Sequence, residues 1–109
     1  MTVICVWLSL VAEDIAGYLA TELPILRDAI LAAGEREAAL PRIVRRLDGE
    51  VGRSGEDGKA FLRASQLLSL YAAVNGGLDL GVFRRILWEP SADFRLRWQA
   101  AQAMAAADV

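Results

Sequence analysis

Hydrophobic positions recur along this chain at helical spacing, and the longest stretch without glycine or proline outside the C-terminal tail runs from Lys59 to Val74. On a helix that turns 100° per residue, its large apolar side chains share one half of the circumference and its serines share the other. Only Lys59 and Arg63 carry charge, so most of this helix is expected to be buried. The stretch predicts the central helix of a small bundle. Its predicted core-facing residues are Phe61, Leu67, Leu68, Leu70, Tyr71 and Val74.

Five other segments repeat the apolar spacing of an amphipathic helix, which brings the predicted total to six. In chain order they run from Trp7 to Leu19, from Pro24 to about Ala33, from Pro41 through Val51, from a cap at Asp79 through Leu87, and from Phe94 into the alanine-rich tail. Residues 2–8 and 94–98 also fit a strand, because they are β-branched and aromatic or alternate in polarity. The alanines that follow favour a helix at 94–98, whereas residues 2–8 stay open.

Turn residues mark the ends of these helices. Pro41 is expected to open the third predicted helix, since proline is tolerated in a first turn. Residues 49–58 carry four glycines and predict a mobile loop. Within this loop, Ser54 and Asp57 have the spacing of a capping box for the central helix.

The chain, residues 1–109, has the length of one domain with a single core. Its helical patterns and its 55% hydrophobic content, much of it alanine, predict an all-α, compact bundle of short helices. The lone Cys5 cannot form an internal disulfide, which fits a reducing compartment. The apolar run before Glu13 and Asp14 is too short to cross a bilayer, and no Lys or Arg precedes it. We therefore expect a cytoplasmic protein without a membrane partner.

The sequence contains few residues of the kinds that carry out catalysis. It has no histidine, which removes the commonest general base and metal ligand. The segment GRSGEDGK at 52–59 departs from a phosphate-binding loop, because five residues rather than four separate its outer glycines and no Ser or Thr follows its lysine. Trp7, Trp88 and Trp98 are expected to lie in the core. We predict no catalytic, cofactor-binding or metal-binding residue, and therefore neither an enzyme nor a cofactor.

Charge is distributed unevenly along the chain, although the net formal charge is only −2. Acidic residues dominate the first forty positions, and arginines dominate the thirteen that follow. Arginines at i, i+3 and i+4 of the third predicted helix share one face, which is either a solvated surface or a protein-binding patch. The predicted protein-binding residues are Arg42, Arg45, Arg46 and Arg53 on the basic side, and Glu13, Asp14 and Glu22 on the acidic side.

Nucleic acid is the alternative partner. A recognition helix with the arginines of the third predicted helix, or with Arg84 and Arg85 of the fifth, could contact phosphates. No aromatic residues interleave with the arginines of the third helix, and the domain is not basic overall. Both features favour a protein partner over nucleic acid.

Two segments, LPILRDAILAAGEREAALPRIVRRL and LLSLYAAVNGGLDLGVFRRIL, resemble the effector-associated domains of prokaryotic conflict systems. Those domains are small helical modules, compared with death-fold domains and found beside proteases and nucleotide-driven signalling proteins. The similarity lies in an LRDAI-type helix, a helix that ends in a small residue and Gly-Gly-Leu, and a short amphipathic helix after it.

This resemblance covers about two-thirds of the chain, between Leu23 and Trp98. It implies a death-fold-like, non-catalytic adaptor that links a sensor to an effector in a bacterial conflict or signalling system. It also implies that the partner is another protein, either a related helical domain or a second copy of this chain.

Overall fold

The computed structural model describes residues 23–32, 34–76 and 79–107, and within them the chain folds into five helices. These are α1 (Leu23–Ala32), α2 (Arg36–Val51), α3 (Gly58–Asn75), α4 (Gly81–Leu87) and α5 (Phe94–Ala107). No strand occurs in these described ranges, which confirms the all-α prediction. The first of the six predicted helices, Trp7 to Leu19, and the open segment 2–8 lie outside the described residues. The other five predicted helices correspond to α1–α5.

The core is built around α3, as its apolar pattern predicts. α3 makes its largest interface with α2 and also contacts α1 and α5, whereas α4 packs mainly against α5. The ring of Tyr71 meets Phe83 of α4 edge-on, with the ring centroids 5.4 Å apart, which is a favourable aromatic geometry. Burial raises the pKa of the Tyr71 hydroxyl, so this core group is neutral at physiological pH. The buried apolar residues of α3 are Ala60, Ala64, Leu67, Leu68, Leu70, Tyr71 and Val74.

Left-handed glycines end α1 and α3. Gly34 has a φ of 69°, and its N–H donates to the Leu31 carbonyl at 3.2 Å. The next N–H, that of Glu35, donates to the Ile30 carbonyl at 3.0 Å, which completes a Schellman motif. Gly76, with a φ of 62°, ends α3. Glycine adopts this conformation without the steric penalty that other residues meet.

Arg36, the first residue of α2, anchors the start of that helix to the end of α3. Its Nε donates to the Val74 carbonyl at 2.6 Å, and its terminal Nη2 donates to the Asn75 carbonyl at 3.4 Å. These carbonyls belong to the last turn of α3, where the helix itself supplies no donors. One side chain therefore satisfies two terminal carbonyls of α3 and ties the start of α2 to them.

α2 begins before Pro41, so the expectation that this proline opens the helix is wrong. Proline lacks the N–H that would donate to the carbonyl four residues earlier, which here belongs to Glu37. The helix loses that one hydrogen bond just after its first turn. Burial of Ala39 and the anchoring of Arg36 hold the first turn in place despite the loss.

Residues 49–58, predicted as a mobile loop, consist of the end of α2, a series of turns and the start of α3. Ser54 is buried; its Oγ donates to the Val51 carbonyl at 2.7 Å and accepts from the Asp93 N–H at 2.9 Å. Ser54 thus joins the turns to the segment before α5, and its predicted role in a capping box is wrong. Asp57 alone caps α3, by accepting from the Lys59 N–H at 2.9 Å.

Asp93 caps the first turn of α5. Its Oδ1 accepts from the Arg95 N–H at 2.8 Å and from the Arg95 Nε at 3.1 Å, and Oδ2 accepts from Nη2 at 3.1 Å. These hydrogen bonds lower the pKa of the Asp93 carboxyl. A lowered folded-state pKa means that the ionised group stabilises the fold above the ordinary aspartate pKa. That contribution is lost as the pH falls through the pKa of the folded state.

We therefore expect Asp93→Ala to lower the free energy of unfolding by about 1 kcal/mol at neutral pH, the typical value of an N-cap. The difference in unfolding free energy between the variant and the parent chain should shrink as the solution becomes acidic. The parent carboxyl is then protonated and loses the charge that strengthens its hydrogen bonds. Urea denaturation of both proteins at pH 7 and at about pH 2 measures this. An equal difference at both pH values would show that Asp93 does not act through its charge.

Candidate protein-binding surfaces

Three of the predicted basic residues lie on α2, around the side that points away from its buried line. Ile43 and Leu47 of that line are fully buried. Arg45 projects from nearly the opposite side of the helix and Arg42 from beside it, and both are exposed. Arg46 lies nearer the core, is partly buried, and has a buried Nε without a hydrogen-bond partner. The exposed pair, Arg42 and Arg45, is called the basic face.

Arg53, the fourth predicted basic residue, lies in the turns after α2. It donates to Glu50 Oε2 at 3.0 Å, and Arg63 Nε of α3 approaches the same oxygen at 3.2 Å. The Glu50 residue is only 5% exposed, and the Arg63 side chain is 12% exposed. Arg53 therefore helps to neutralise a buried carboxylate and is not part of the basic face.

The remaining charged residues of interest are the two arginines of α4 and the predicted acidic residues. Arg85 of α4 donates to Asp48 Oδ1 of α2 at 2.7 Å, in an exposed ion pair of the kind that contributes about 0–1 kcal/mol. Arg84 is exposed. The predicted acidic residues Glu13, Asp14 and Glu22 lie outside the described residues, so the pairing of acidic and basic surfaces stays a prediction.

Three large aromatic side chains are exposed where α4 ends and α5 begins. Trp88 follows α4 and is 73% exposed, while Phe94 and Trp98, one turn apart on α5, are 76% and 59% exposed. The expectation of a core position is therefore wrong for Trp88 and Trp98, and Trp7 lies outside the described residues. Together, Trp88, Phe94 and Trp98 are called the aromatic face. Phe94 and Trp98 lie on one side of α5 and make this part of the set an exposed apolar patch, a feature that marks binding surfaces.

The orientation of α5 exposes these rings because its opposite side is fixed to α3. Gln99 Nε2 donates to the Ser65 carbonyl at 3.0 Å, and its Oε1 accepts from the Ser65 hydroxyl at 2.8 Å. Leu96 and Ala100 beside it are buried in the core. A rotation of α5 that buried Phe94 and Trp98 would break both hydrogen bonds and expose Leu96.

Two arginines at the start of α5 fix the surroundings of the aromatic face. Arg97 Nε donates to the Leu87 carbonyl at 2.8 Å, which satisfies one terminal carbonyl of α4 and ties the end of that helix to the first turn of α5. The Arg95 guanidinium lies 3.9 Å from the centroid of the Phe61 ring, a cation–π contact with α3. The aromatic face is thus supported by contacts to both neighbouring helices.

The sequence alone does not decide which side of α5 is buried. One line along the helix consists of Phe94, Trp98, Ala101 and Ala105. The opposite line consists of Leu96, Ala100, Ala103 and Met104. Both are apolar, and the first has the larger side chains. Arg97 and Gln99 are the sequence feature that could identify the buried line. They flank the second line, and from there their side chains can donate to carbonyl groups of neighbouring helices.

Shallow depressions lie beside these surfaces. One of about 410 Å³, between the turns after α2 and the loop before α5, reaches Phe94. Another of about 280 Å³ lies at the Asp48–Arg85 ion pair and is walled by Val51 and Ile86.

In the part of the chain that the structure describes, no group of three or more His, Cys, Asp or Glu residues could hold a metal ion. Nor is any helix there long and apolar enough to cross a membrane.

The two surfaces differ in the contacts that they can make. The basic face offers guanidinium groups, which bind carboxylates in a planar, bidentate geometry. The aromatic face offers large, rigid apolar area of the type that dominates interface energetics.

Comparisons of this chain with models of known protein families, with curated proteins and with solved structures find no significant match.

Proposed function

We propose that this domain is a non-catalytic protein-interaction module that links a sensor to an effector in a bacterial conflict or signalling system. The observation that carries the proposal is the division of α2. Its buried line packs Ile43 and Leu47 into the core, while its outer side presents Arg42 and Arg45 to solvent. The aromatic face supports the same class of function, because Trp, Phe and Arg are enriched at protein interfaces. The resemblance to effector-associated domains supports the adaptor role.

The partner proposed for the basic face is an acidic protein surface. A related domain or a second copy of this chain could supply it, because Glu13, Asp14 and Glu22 occur in a segment without basic residues. Contact between two different surfaces of like domains is heterologous and can build open assemblies. Each exposed ion pair contributes only about 0–1 kcal/mol, so several pairs must act together.

We expect Arg42→Glu/Arg45→Glu to weaken the binding of a fluorescent glutamate-rich helical peptide at least about tenfold at low salt, because it replaces attraction by repulsion. Fluorescence anisotropy measures the affinity, and circular dichroism checks that helicity is unchanged. Arg46 is left in place because its partly buried side chain would confound stability with binding. The control, Lys59→Glu/Arg84→Glu, changes the net charge equally at exposed residues of α3 and α4.

Equal weakening of peptide binding by the control variant would show that only net charge matters, and would remove the basic face as a specific site.

Duplex DNA, titrated at two salt concentrations, tests the alternative partner. Tight binding that falls steeply with salt would favour a nucleic-acid-binding regulator, because phosphate contacts release counterions. Weak binding to DNA, together with loss of peptide binding in the α2 variant, supports the protein-interaction function.

A further inference from the structure

The exposed line of α5, here called the α5 stripe, consists of Phe94, Trp98, Ala101 and Ala105. Its two halves differ in size, since the N-terminal half carries two large rings and the C-terminal half carries two methyl groups. Phe94, Trp98 and Ala105 are exposed, and Ala101 is partly exposed. This face is apolar along its whole length, and Phe94 at its N-terminal end borders the depression beside the turns after α2.

We propose that the α5 stripe binds the α5 stripe of a second copy of this chain, with the two helices antiparallel. This inference rests on the proposed interaction function and adds the partner at one of its surfaces. The resulting dimer has two-fold symmetry, so the same residues are buried on both copies. It leaves the basic face on α2 available for an acidic partner.

Antiparallel pairing fits the sizes of the side chains. In that arrangement Phe94 of one copy lies over Ala105 of the other, and Trp98 lies over Ala101. Large residues then fill the space left by small ones, which allows the interdigitated packing that stable helix pairs show. Parallel pairing would place rings against rings and methyl groups against methyl groups, leaving a gap at the C-terminal half.

Charge also favours the antiparallel arrangement. Of the two arginines in the N-terminal half of α5, Arg95 is paired with Asp93 and Arg97 lies on the other flank of the stripe, while residues 98–107 carry no charged side chain. Antiparallel pairing places each arginine beside neutral residues of the other copy. Parallel pairing would bring the arginines of the two copies together, and juxtaposed like charges oppose association.

The exposed area indicates a weak dimer. With about 200 Å² per aromatic side chain, the exposed fractions of Phe94 and Trp98 amount to about 270 Å² per copy. A standard stable interface buries about 800 Å² per partner. The two rings of the α5 stripe supply about a third of this, so we expect a dissociation constant on the order of 10 μM or weaker.

Sedimentation equilibrium of the full chain over a range of concentrations tests the dimer. Phe94→Ser/Trp98→Ser is expected to raise the dissociation constant at least about 30-fold, because central aromatic residues dominate such interfaces. Leu31→Ser is the matched control, since Leu31 of α1 is also apolar and 41% exposed but lies off α5. Its dissociation constant should equal that of the parent chain.

Exchanging large and small residues tests the antiparallel arrangement. Ala105 is exposed, so Ala105→Phe should fold normally, but it should weaken the dimer because the new ring meets Phe94 of the other copy. Phe94→Ala/Ala105→Phe should recover the parent affinity within about threefold, since each contact again joins one large and one small residue. Failure of the double variant to recover affinity would overturn the antiparallel pairing.

A chain that stays monomeric up to about 1 mM would overturn the dimer, since even weak specific interfaces associate at that concentration. So would a dimer that the Phe94→Ser/Trp98→Ser variant retains, because another surface would then be responsible. Loss of the dimer with intact binding of the acidic peptide leaves the proposed function standing, because that binding uses α2. Loss of both would remove the interaction function itself.

Discussion

Replacing Phe83 with alanine is expected to lower the free energy of unfolding by about 3–5 kcal/mol. Phe83 of α4 is 2% exposed, and its ring packs edge-on against Tyr71 of α3. Removing the ring leaves a cavity between two helices whose positions other contacts fix. Urea denaturation followed by circular dichroism measures the change.

Phe94→Ala is the matched control, because it makes the same chemical change at a highly exposed position. We expect it to alter the free energy of unfolding by no more than about 0.5 kcal/mol. Phe83→Leu retains most of the apolar volume and keeps the measurement feasible if the alanine variant does not fold. Similar costs at residues 83 and 94 would contradict the assignment of one phenylalanine to the core and the other to the surface.

The second large effect concerns Arg63, whose replacement by methionine is expected to cost about 3 kcal/mol. Arg63 Nε lies 3.2 Å from the carboxylate of the buried Glu50. Methionine keeps apolar volume but leaves the carboxylate with Arg53, whose side chain is 61% exposed. Arg53 stays 3.0 Å from the carboxylate but is screened by solvent, so the loss of the buried counter-ion still destabilises the fold. Urea denaturation at neutral pH measures the loss.

Glu50→Leu/Arg63→Met provides the decisive comparison. Replacing Glu50 and Arg63 together by apolar residues removes the buried charge itself, and such replacements are often neutral or stabilising. We therefore expect the double variant to regain most of the stability that Arg63→Met loses. A double variant that is less stable than the single one would show that Arg63 acts through packing or through other contacts, and not chiefly through Glu50.

The sequence predicts the helices well where one apolar line is unambiguous. In α3, the residues predicted to face the core include Leu67, Leu70 and Val74, all of which are buried. The buried line of α3 depends on residues close together in the sequence, so local apolar spacing is sufficient to predict it. In α4, Asp79 Oδ1 accepts from the Gly81 N–H at 2.9 Å, but the N-cap position belongs to Leu80, which makes no side-chain cap, so the prediction that Asp79 caps this helix is wrong by one position.

Features that depend on distant residues are not predictable in this way. The start of α2 is set by Arg36, which binds carbonyls at the end of α3, and this contact outweighs the tendency of Pro41 to begin a helix. Ser54 likewise accepts from the Asp93 N–H, across 39 positions of the chain. Local cap rules therefore place Ser54 in a capping box that tertiary contacts prevent.

The same contrast between local spacing and distant contacts applies to the candidate surfaces. The basic face follows from the spacing of Arg42 and Arg45 on an amphipathic helix, and only the partial burial of Arg46 requires the structure. The aromatic face does not follow from spacing, because α5 has two apolar lines. The hydrogen bonds of Gln99 with Ser65 select the line that is buried, and these residues are far apart in the sequence.

The central claim is that Trp98 faces outward on an otherwise packed helical domain and becomes covered when two copies associate. Trp7→Phe/Trp88→Phe leaves Trp98 as the sole indole of the chain. Acrylamide quenching and the emission maximum of this variant, measured well below and well above the dissociation constant, report the surroundings of that ring. We predict efficient quenching and red-shifted emission at low concentration, and protection with blue-shifted emission at high concentration. A protected, blue-shifted indole at the lowest concentration would contradict the claim.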